Sequence, residues 1–200
     1  MKIVSIVEGD GEVAAVPILL RRLAQWRTPG QFPDVQTPIR VYKDRFLNRN
    51  EEFQRHLSLA AKKCGANGWI LVLLDADDDC PATLGEKILQ RDQACVPHRP
   101  VSVVLANREY EAWFIAAAAS LHGHRGFCSA PPDEEVDPEI PRNAKGWIRE
   151  RMNNRAYGET TDQPAFTARF DFQQAFDRSR SFRKLCAEWD RHHTHPVQSD

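Results

Sequence analysis

Residues Trp69–Asp79 read WILVLLDADDD, and this stretch constrains the fold more than any other. The apolar run Ile70–Leu74 is too short and too uniform for an amphipathic helix. Bounded by Gly68 and a polar cluster, it suits a strand buried on both faces. Such strands belong to parallel α/β sheets, whose ligands bind outside the carboxyl ends of the strands. Asp75, Asp77, Asp78 and Asp79 fall at that end. Left alone, acids this close repel one another and raise some of their pKa values. A divalent cation removes the conflict, so the stretch points to a Mg²⁺ or Mn²⁺ site.

The rest of the chain alternates strand and helix. Lys2–Val7 is a mostly apolar strand ending at Glu8-Gly9, with Gly11 just beyond. From Glu12 to Trp26, the residues Val13, Val16, Leu19, Leu20 and Leu23 recur at helical spacing, and Pro17 marks a start or a kink. Thr28–Pro38 reads as a loop and Ile39–Tyr42 as a short second strand. Asn50–Cys64 reads as a helix capped by Asn50 and closed by Gly65 and Gly68. Pro81 and Thr83 open another helix, carrying Leu84, Ile88 and Leu89 on its apolar face. Val101–Ala106 is a further strand, which ends in Asn107-Arg108-Glu109-Tyr110-Glu111 before an Ala-rich helix over Ala112–Leu121. This order predicts an α/β fold with a mostly parallel sheet, flanking helices and right-handed crossovers. Residues 1–121 make that core, 122–141 a loop rich in Pro and Gly, and 142–200 a helical extension packed on the core as one structural unit. In the extension Asn143–Met152, Phe172–Phe176 and Ser181–Arg191 read as helices, with fraying from His192.

A chain of 200 residues suits one domain. No stretch reaches the roughly 18–20 apolar residues of a membrane span, and acids follow the first apolar run where a signal peptide would continue. Five cysteines without a CxxC pair argue for a reducing cytoplasm rather than a disulfide framework. The formal net charge of −1 conceals an asymmetry, since cations prevail beyond Pro141: Arg142, Lys145, Arg149, Arg151, Arg155, Arg169, Arg178, Arg180, Arg183, Lys184 and Arg191. They form either a surface for a polyanion such as nucleic acid or a solvated face.

Carboxylates recur at equivalent strand ends: Glu8, then Asp75 and Asp77, then Glu109 and Glu111. Mg²⁺ prefers oxygen ligands and retains waters, so a few carboxylates and a substrate phosphate suffice. Such a site can activate water and stabilise the leaving oxygen in phosphodiester cleavage. Taken singly, each acid has a simpler role. Asp78 or Asp79 can cap the helix at Pro81, and Glu111 can complement a helix dipole. His122 and His124 suit loop packing, whereas His192, His193 and His195 offer an adventitious metal site in the tail. The tryptophans Trp26, Trp69, Trp113, Trp147 and Trp189 suit the core, although Trp147 beside Arg149 and Arg151 offers a ring to a base. No cysteine sits in a nucleophile motif, and no Gly-x-x-x-x-Gly-Lys loop is present, so ATP hydrolysis would need a partner.

Glu-Gly after the first strand with Asp-x-Asp after a later one resembles the Toprim fold of topoisomerases, bacterial primases and overcoming-lysogenisation-defect nucleases. More closely, VEGDGEVAAVPILLRRL, LLDADDDCP, NREYEAWFIAA, AKGWIRERM, Tyr157–Thr167 and SRSFRKL resemble a Toprim-like bacterial family often encoded beside ATPases of the AAA or ABC type. The resemblance implies that Glu8 is the acid/base or metal-linked glutamate and that Asp75 and Asp77 are metal ligands. It makes Glu12, Asp79, Glu109 and Glu111 supporting acids or ligands of a second ion, and Lys145 a cation facing the scissile phosphate. The turn GDGEVAAV departs from the family pattern by placing Asp10 and Gly11 where Thr-Glu is usual.

The expectation is a Mg²⁺- or Mn²⁺-dependent nuclease acting on DNA or RNA, the effector of an ATPase-associated anti-phage system. The alternative is a non-catalytic Toprim-like regulatory partner of an AAA/ABC-type ATPase. A phosphatase is a third reading, weakened because Glu8 stands where a nucleophilic Asp is usual. Self-association is left open.

Overall fold

Side chains of neighbouring strand residues point to opposite faces of a sheet, and here that alternation divides the core in two. The computed structural model describes residues 1–153 and 155–193. Its strands are β1 (Lys2–Val7), β2 (Asp34–Val35), β3 (Ile39–Arg40), β4 (Trp69–Asp75) and β5 (Val101–Ala106). Ile3, Val7, Trp69, Leu71, Leu73, Val104 and Ala106 enter one apolar cluster. Val4, Ile6, Ile70, Val72, Leu74, Val101, Val103 and Leu105 enter the other. A sheet buried on both faces needs helices on both, and the sequence supplies them.

The helices are α1 (Asp10–Arg27), α2 (Lys43–Asn48), α3 (Asn50–Cys64), α4 (Pro81–Cys95), α5 (Ala112–Ala116), α6 (Ala118–Leu121), α7 (Ala144–Glu150), α8 (Glu159–Thr167), α9 (Phe172–Arg178) and α10 (Arg180–His193). Residues of α1, α5 and α7 to α10 pack in the first cluster, and those of α2, α3 and α4 in the second. No helix among the described residues is long and apolar enough to cross a membrane.

The strand order is β2-β1-β4-β5, with β3 also on β1, and every pairing is parallel. The chain leaves β1 through α1 toward β2 and β3, then returns through α3 to β4 on the other side. Crossovers in opposite directions put α1 and α3 on opposite faces, as right-handedness requires. The carboxyl ends of β1 and β4 therefore flank the point where the winding reverses, the usual crevice for a ligand.

Several boundaries differ from expectation. Asp34–Val35, expected in a loop, pairs with Lys2 and Ile3, and Ile39–Arg40 pairs with Ile6 and Val7. The two pieces are one broken edge strand, interrupted near Pro38, which has no N–H for a ladder. Helix α1 begins at Asp10 and runs on through Pro17. Asn50 is the first residue of α3 rather than its cap, a position that falls to Arg49 without a side-chain bond. The Ala-rich helix is interrupted at Ala117, whose carbonyl accepts the Ser120 hydroxyl at 2.6 Å and so tightens the turn. Helices α2 and α8 were not expected.

The end of α10 also departs from the expected fraying. His193 stacks on Trp189 with centroids 3.8 Å apart, and Trp189 meets Trp69 edge to face. His192 lies 3.0 Å from the Ser102 hydroxyl, and burial holds its imidazole down to about 4, neutral at ordinary pH. Glu188 accepts from Ser102 at 2.5 Å and is flanked by Lys184 and Arg191, which ties α10 to the edge strand β5. His195 lies outside the described residues. Trp189 is fully buried, so Trp189→Ala should cost about 3–5 kcal/mol of unfolding free energy. Urea denaturation checks this, and a loss below about 1 kcal/mol would show that α10 contributes little to the fold.

Candidate acid site at the carboxyl end of the sheet

The site begins with the two strands that flank the switch point. Glu8 follows the last residue of β1, and Asp75 is the last residue of β4. Just past Glu8, the chain turns through Gly9 into α1. The Glu12 carboxylate reaches back to accept the Gly9 N–H, so it caps its own helix. A Cβ on Gly11 would run into the Gln163 side-chain carbonyl and the Glu159 backbone, which explains the second glycine of GDGE. The absence of a side chain lets α8 lie close against α1 and deliver Gln163 to the acids.

An inner group forms around Asp75. Its Oδ1 accepts the Tyr110 N–H at 2.8 Å. Glu111, fully buried at the start of α5, accepts the Tyr157 hydroxyl at 2.9 Å and the Gln163 amide at 3.3 Å. The same amide donates to Glu12 at 2.9 Å. Burial drives the Asp75 carboxyl well above the ordinary range, with the charges of Glu111 and Glu12 adding to it. Burial also pushes Glu111 up to about 7 against the opposing pull of Lys145 and the Tyr157 hydroxyl. Lys145 stands among them at the first turn of α7. Burial works against its charge, but Glu111, Asp75, Glu159 and Glu109 outweigh it and raise its pKa.

An outer group faces solvent. Asp77, with a left-handed φ of 52°, is paired with Lys43, the first residue of α2. Glu8 lies between the groups. Burial raises its pKa, Lys43 opposes this, and Asp77 and Glu12 add to it. Glu8, Lys43, Asp77 and Asp79 line an open cleft of about 890 Å³ between α2 and α4.

The structure thus gathers Glu8, Glu12, Asp75, Asp77, Glu111 and Lys145, with Asp79 on the cleft wall. Glu109 turns to the start of α7, where it accepts the Lys145 N–H at 2.9 Å. Neither Asp78 nor Asp79 caps α4, because the cap position falls to Cys80. Asp78 instead pairs with Arg108 at 2.9 Å and Arg142 at 3.3 Å. Lys43 stands in no motif of the sequence, and Tyr157 and Gln163 stand only within the phrase Tyr157–Thr167, which assigns them no role. Only Lys43 carries a signal, since it follows a strand that ends at the same edge.

Most of the cations beyond Pro141 hold an acid or a carbonyl of the chain, several of them at the surface. Arg151 pairs with Asp133, and its guanidinium lies 3.5 Å from the Trp147 ring centroid, so that ring face is not open to a base. Arg155 holds Asp162, Arg178 holds the Ala116 carbonyl, Arg183 the Phe176 carbonyl, and Lys184 and Arg191 hold Glu188. Among the described residues, the tail cations Arg149, Arg169 and Arg180 are exposed and have no side-chain partner. The expected basic surface is therefore much reduced.

Two buried carboxylate oxygens of this site, Glu8 Oε2 and Glu111 Oε2, have no hydrogen-bond partner among the described residues. Buried anionic oxygens in that state fit a cation. Among the described residues, no three His, Cys, Asp or Glu side chains already form a ligand set. Mg²⁺ asks for less than that, since it keeps several waters.

The raised Glu111 pKa has a consequence for stability. The folded chain holds this proton up to about pH 7, the unfolded chain only to about 4.5. Between those values the folded state binds more protons, so stability falls as pH rises, by about 3 kcal/mol in full. In EDTA, Glu111→Gln should be more stable than wild type near pH 8, and the gain should vanish toward pH 4.5. Urea unfolding at both ends of that window checks it; a pH-independent difference would show that the proton is not held.

No curated protein and no solved structure is significantly similar to this chain. The model of the family described as domain of unknown function DUF4276 matches residues 7–189. By that match across most of its length, the chain belongs to the DUF4276 family.

Proposed function

We propose that the protein is a Mg²⁺- or Mn²⁺-dependent nuclease of Toprim type that cleaves phosphodiester bonds in DNA or RNA. The observation that carries this reading is the convergence of Glu8, Asp75 and Glu111 at the switch point, with two of their buried oxygens unpartnered. Glu8, Asp75 and Asp77 would hold the cation, supported by Glu12 and Glu111. When bound, the cation activates a water and neutralises charge on the leaving oxygen. Glu8, whose pKa burial has moved toward neutrality, takes or returns the proton. Lys145 keeps its charge beside Asp75 and Glu111 and attracts the phosphate. Gln163 and Tyr157 fix the orientation of Glu12 and Glu111. The resemblance set out above adds the setting, a cytoplasmic effector working with an ATPase of the AAA or ABC type in anti-phage defence.

A second reading, a non-catalytic partner of such an ATPase, is favoured by one observation. Lys43 and Lys145 already balance several of the acids without a cation. Calorimetry and cleavage separate the two. The nuclease reading expects saturable Mn²⁺ binding that Asp77→Asn weakens and Asp75→Asn abolishes. It also expects cleavage of plasmid, single strands or tRNA to fall roughly 100-fold or more in Glu8→Gln and Asp75→Asn, with unchanged circular dichroism. Cleavage that survives both substitutions would rule the mechanism out, and absence of Mn²⁺ binding would favour the regulatory partner.

A further inference from the structure

The cleft beside the acids says what form of polyanion fits there. Its walls carry Leu47, Leu84, Ile88 and Ala94 together with the cations Lys43 and Lys87. Next in the chain to Lys43 stands Tyr42, a large aromatic side chain that is 60% exposed. The guanidinium groups of Arg40 and Arg45 lie 5.1 Å and 5.3 Å from its ring centroid. Arg40 also donates to the Glu8 carbonyl at 3.3 Å, so this aromatic and basic rim adjoins the acid site directly.

The apolar part of the cleft wall and an exposed ring flanked by guanidinium groups both match the flat faces of unpaired bases. Stacking on aromatic side chains with phosphates held by nearby cations is how single strands are bound irrespective of sequence. A duplex hides those faces and presents phosphates along a stiff rod. Most of the C-terminal cations that would have met such a rod already hold an acid or a carbonyl of this chain. We infer that the β3–α2 rim and the adjoining cleft bind single-stranded nucleic acid, with one base stacked on Tyr42 and a neighbouring base in the cleft between α2 and α4. This deepens the nuclease reading, on which it rests only for placing the scissile phosphate at Glu8 and Asp77.

Fluorescence anisotropy with a short labelled mixed-sequence strand, alone and annealed to its complement, tests this on the full chain in EDTA, where no cleavage occurs. The strand should bind more tightly than the duplex. Tyr42→Ala should weaken strand binding at least roughly fivefold, the low end of what stacking one base is worth, and Tyr42→Phe, which keeps the ring, should restore it. Arg169→Ala, in the helical part, should leave binding unchanged. Equal affinity for the duplex, no effect of Tyr42→Ala, a matching loss in Arg169→Ala, or no binding of either form would overturn the inference. Cleavage in Mn²⁺ that Tyr42→Ala does not touch would sink this inference and keep the nuclease. Strand binding with the Tyr42 signature but without cleavage by the wild type would do the reverse.

Discussion

Carboxylates do not gather in a protein interior without something to hold them there, and that constraint organises this molecule. Reversal of winding between β1 and β4 makes the crevice, and the sequence fills it with Glu8, Glu12, Asp75 and Glu111. Burial of each anion is costly unless it is paired or protonated. The parallel sheet supplies no compensating charge from its own strands. Lys145 from α7, the Gln163 amide from α8 and the Tyr157 hydroxyl, two residues ahead of α8, come from the C-terminal part. Gly11 is what allows α8 near enough to do so. The helical part is thus bound to the sheet through the acids as well as through the apolar core.

The same economy explains the arginines. A chain with so many short helices leaves many carbonyls unbonded at helix ends. Arg22 takes the Thr167 and Phe170 carbonyls, Arg178 those of Ile115, Ala116 and Val136, and Arg183 those of Phe176 and Asp177. Guanidinium groups suit this work because their fork of donors reaches two acceptors at once. A charge count along the sequence cannot tell an arginine that closes a helix from one that waits for a phosphate.

The central strands and the long helices were legible because their signals are local. Asn50–Cys64 matches its helix end to end, since the periodicity lies within the segment and Gly65 and Gly68 follow close behind it. Parallel order followed from alternation, and the strand ends marked where the acids would lie. What was hidden depends on partners distant in sequence. Asp34–Val35 is a strand only because the register of β1 makes it one. His193 stacks on Trp189 of its own helix, but both histidines also pack against Trp69, which no window of the tail contains. Lys43, Tyr157 and Gln163 became part of the site only when their elements were folded against it.

The two lysines divide the site into parts with different freedoms. Lys145 sits among four carboxylates, and the inner acids around it are further fixed by Tyr110, Tyr157 and Gln163. That set is arranged before any ligand arrives, which is what preorganised electrostatics requires. Lys43, itself nearly buried, pairs with Asp77, whose side chain is 61% exposed on the open cleft, and also acts on Glu8. Solvent reaches the Asp77 end of the pair and screens it there. The outer pair is therefore where an incoming cation or phosphate can compete, because either one replaces half of the contact: a cation takes Asp77 and a phosphate takes Lys43. The arrangement couples the two, since removing one partner of the pair frees the other for the second ligand. That coupling is reciprocal, so each ligand favours the other without any movement of the inner acids.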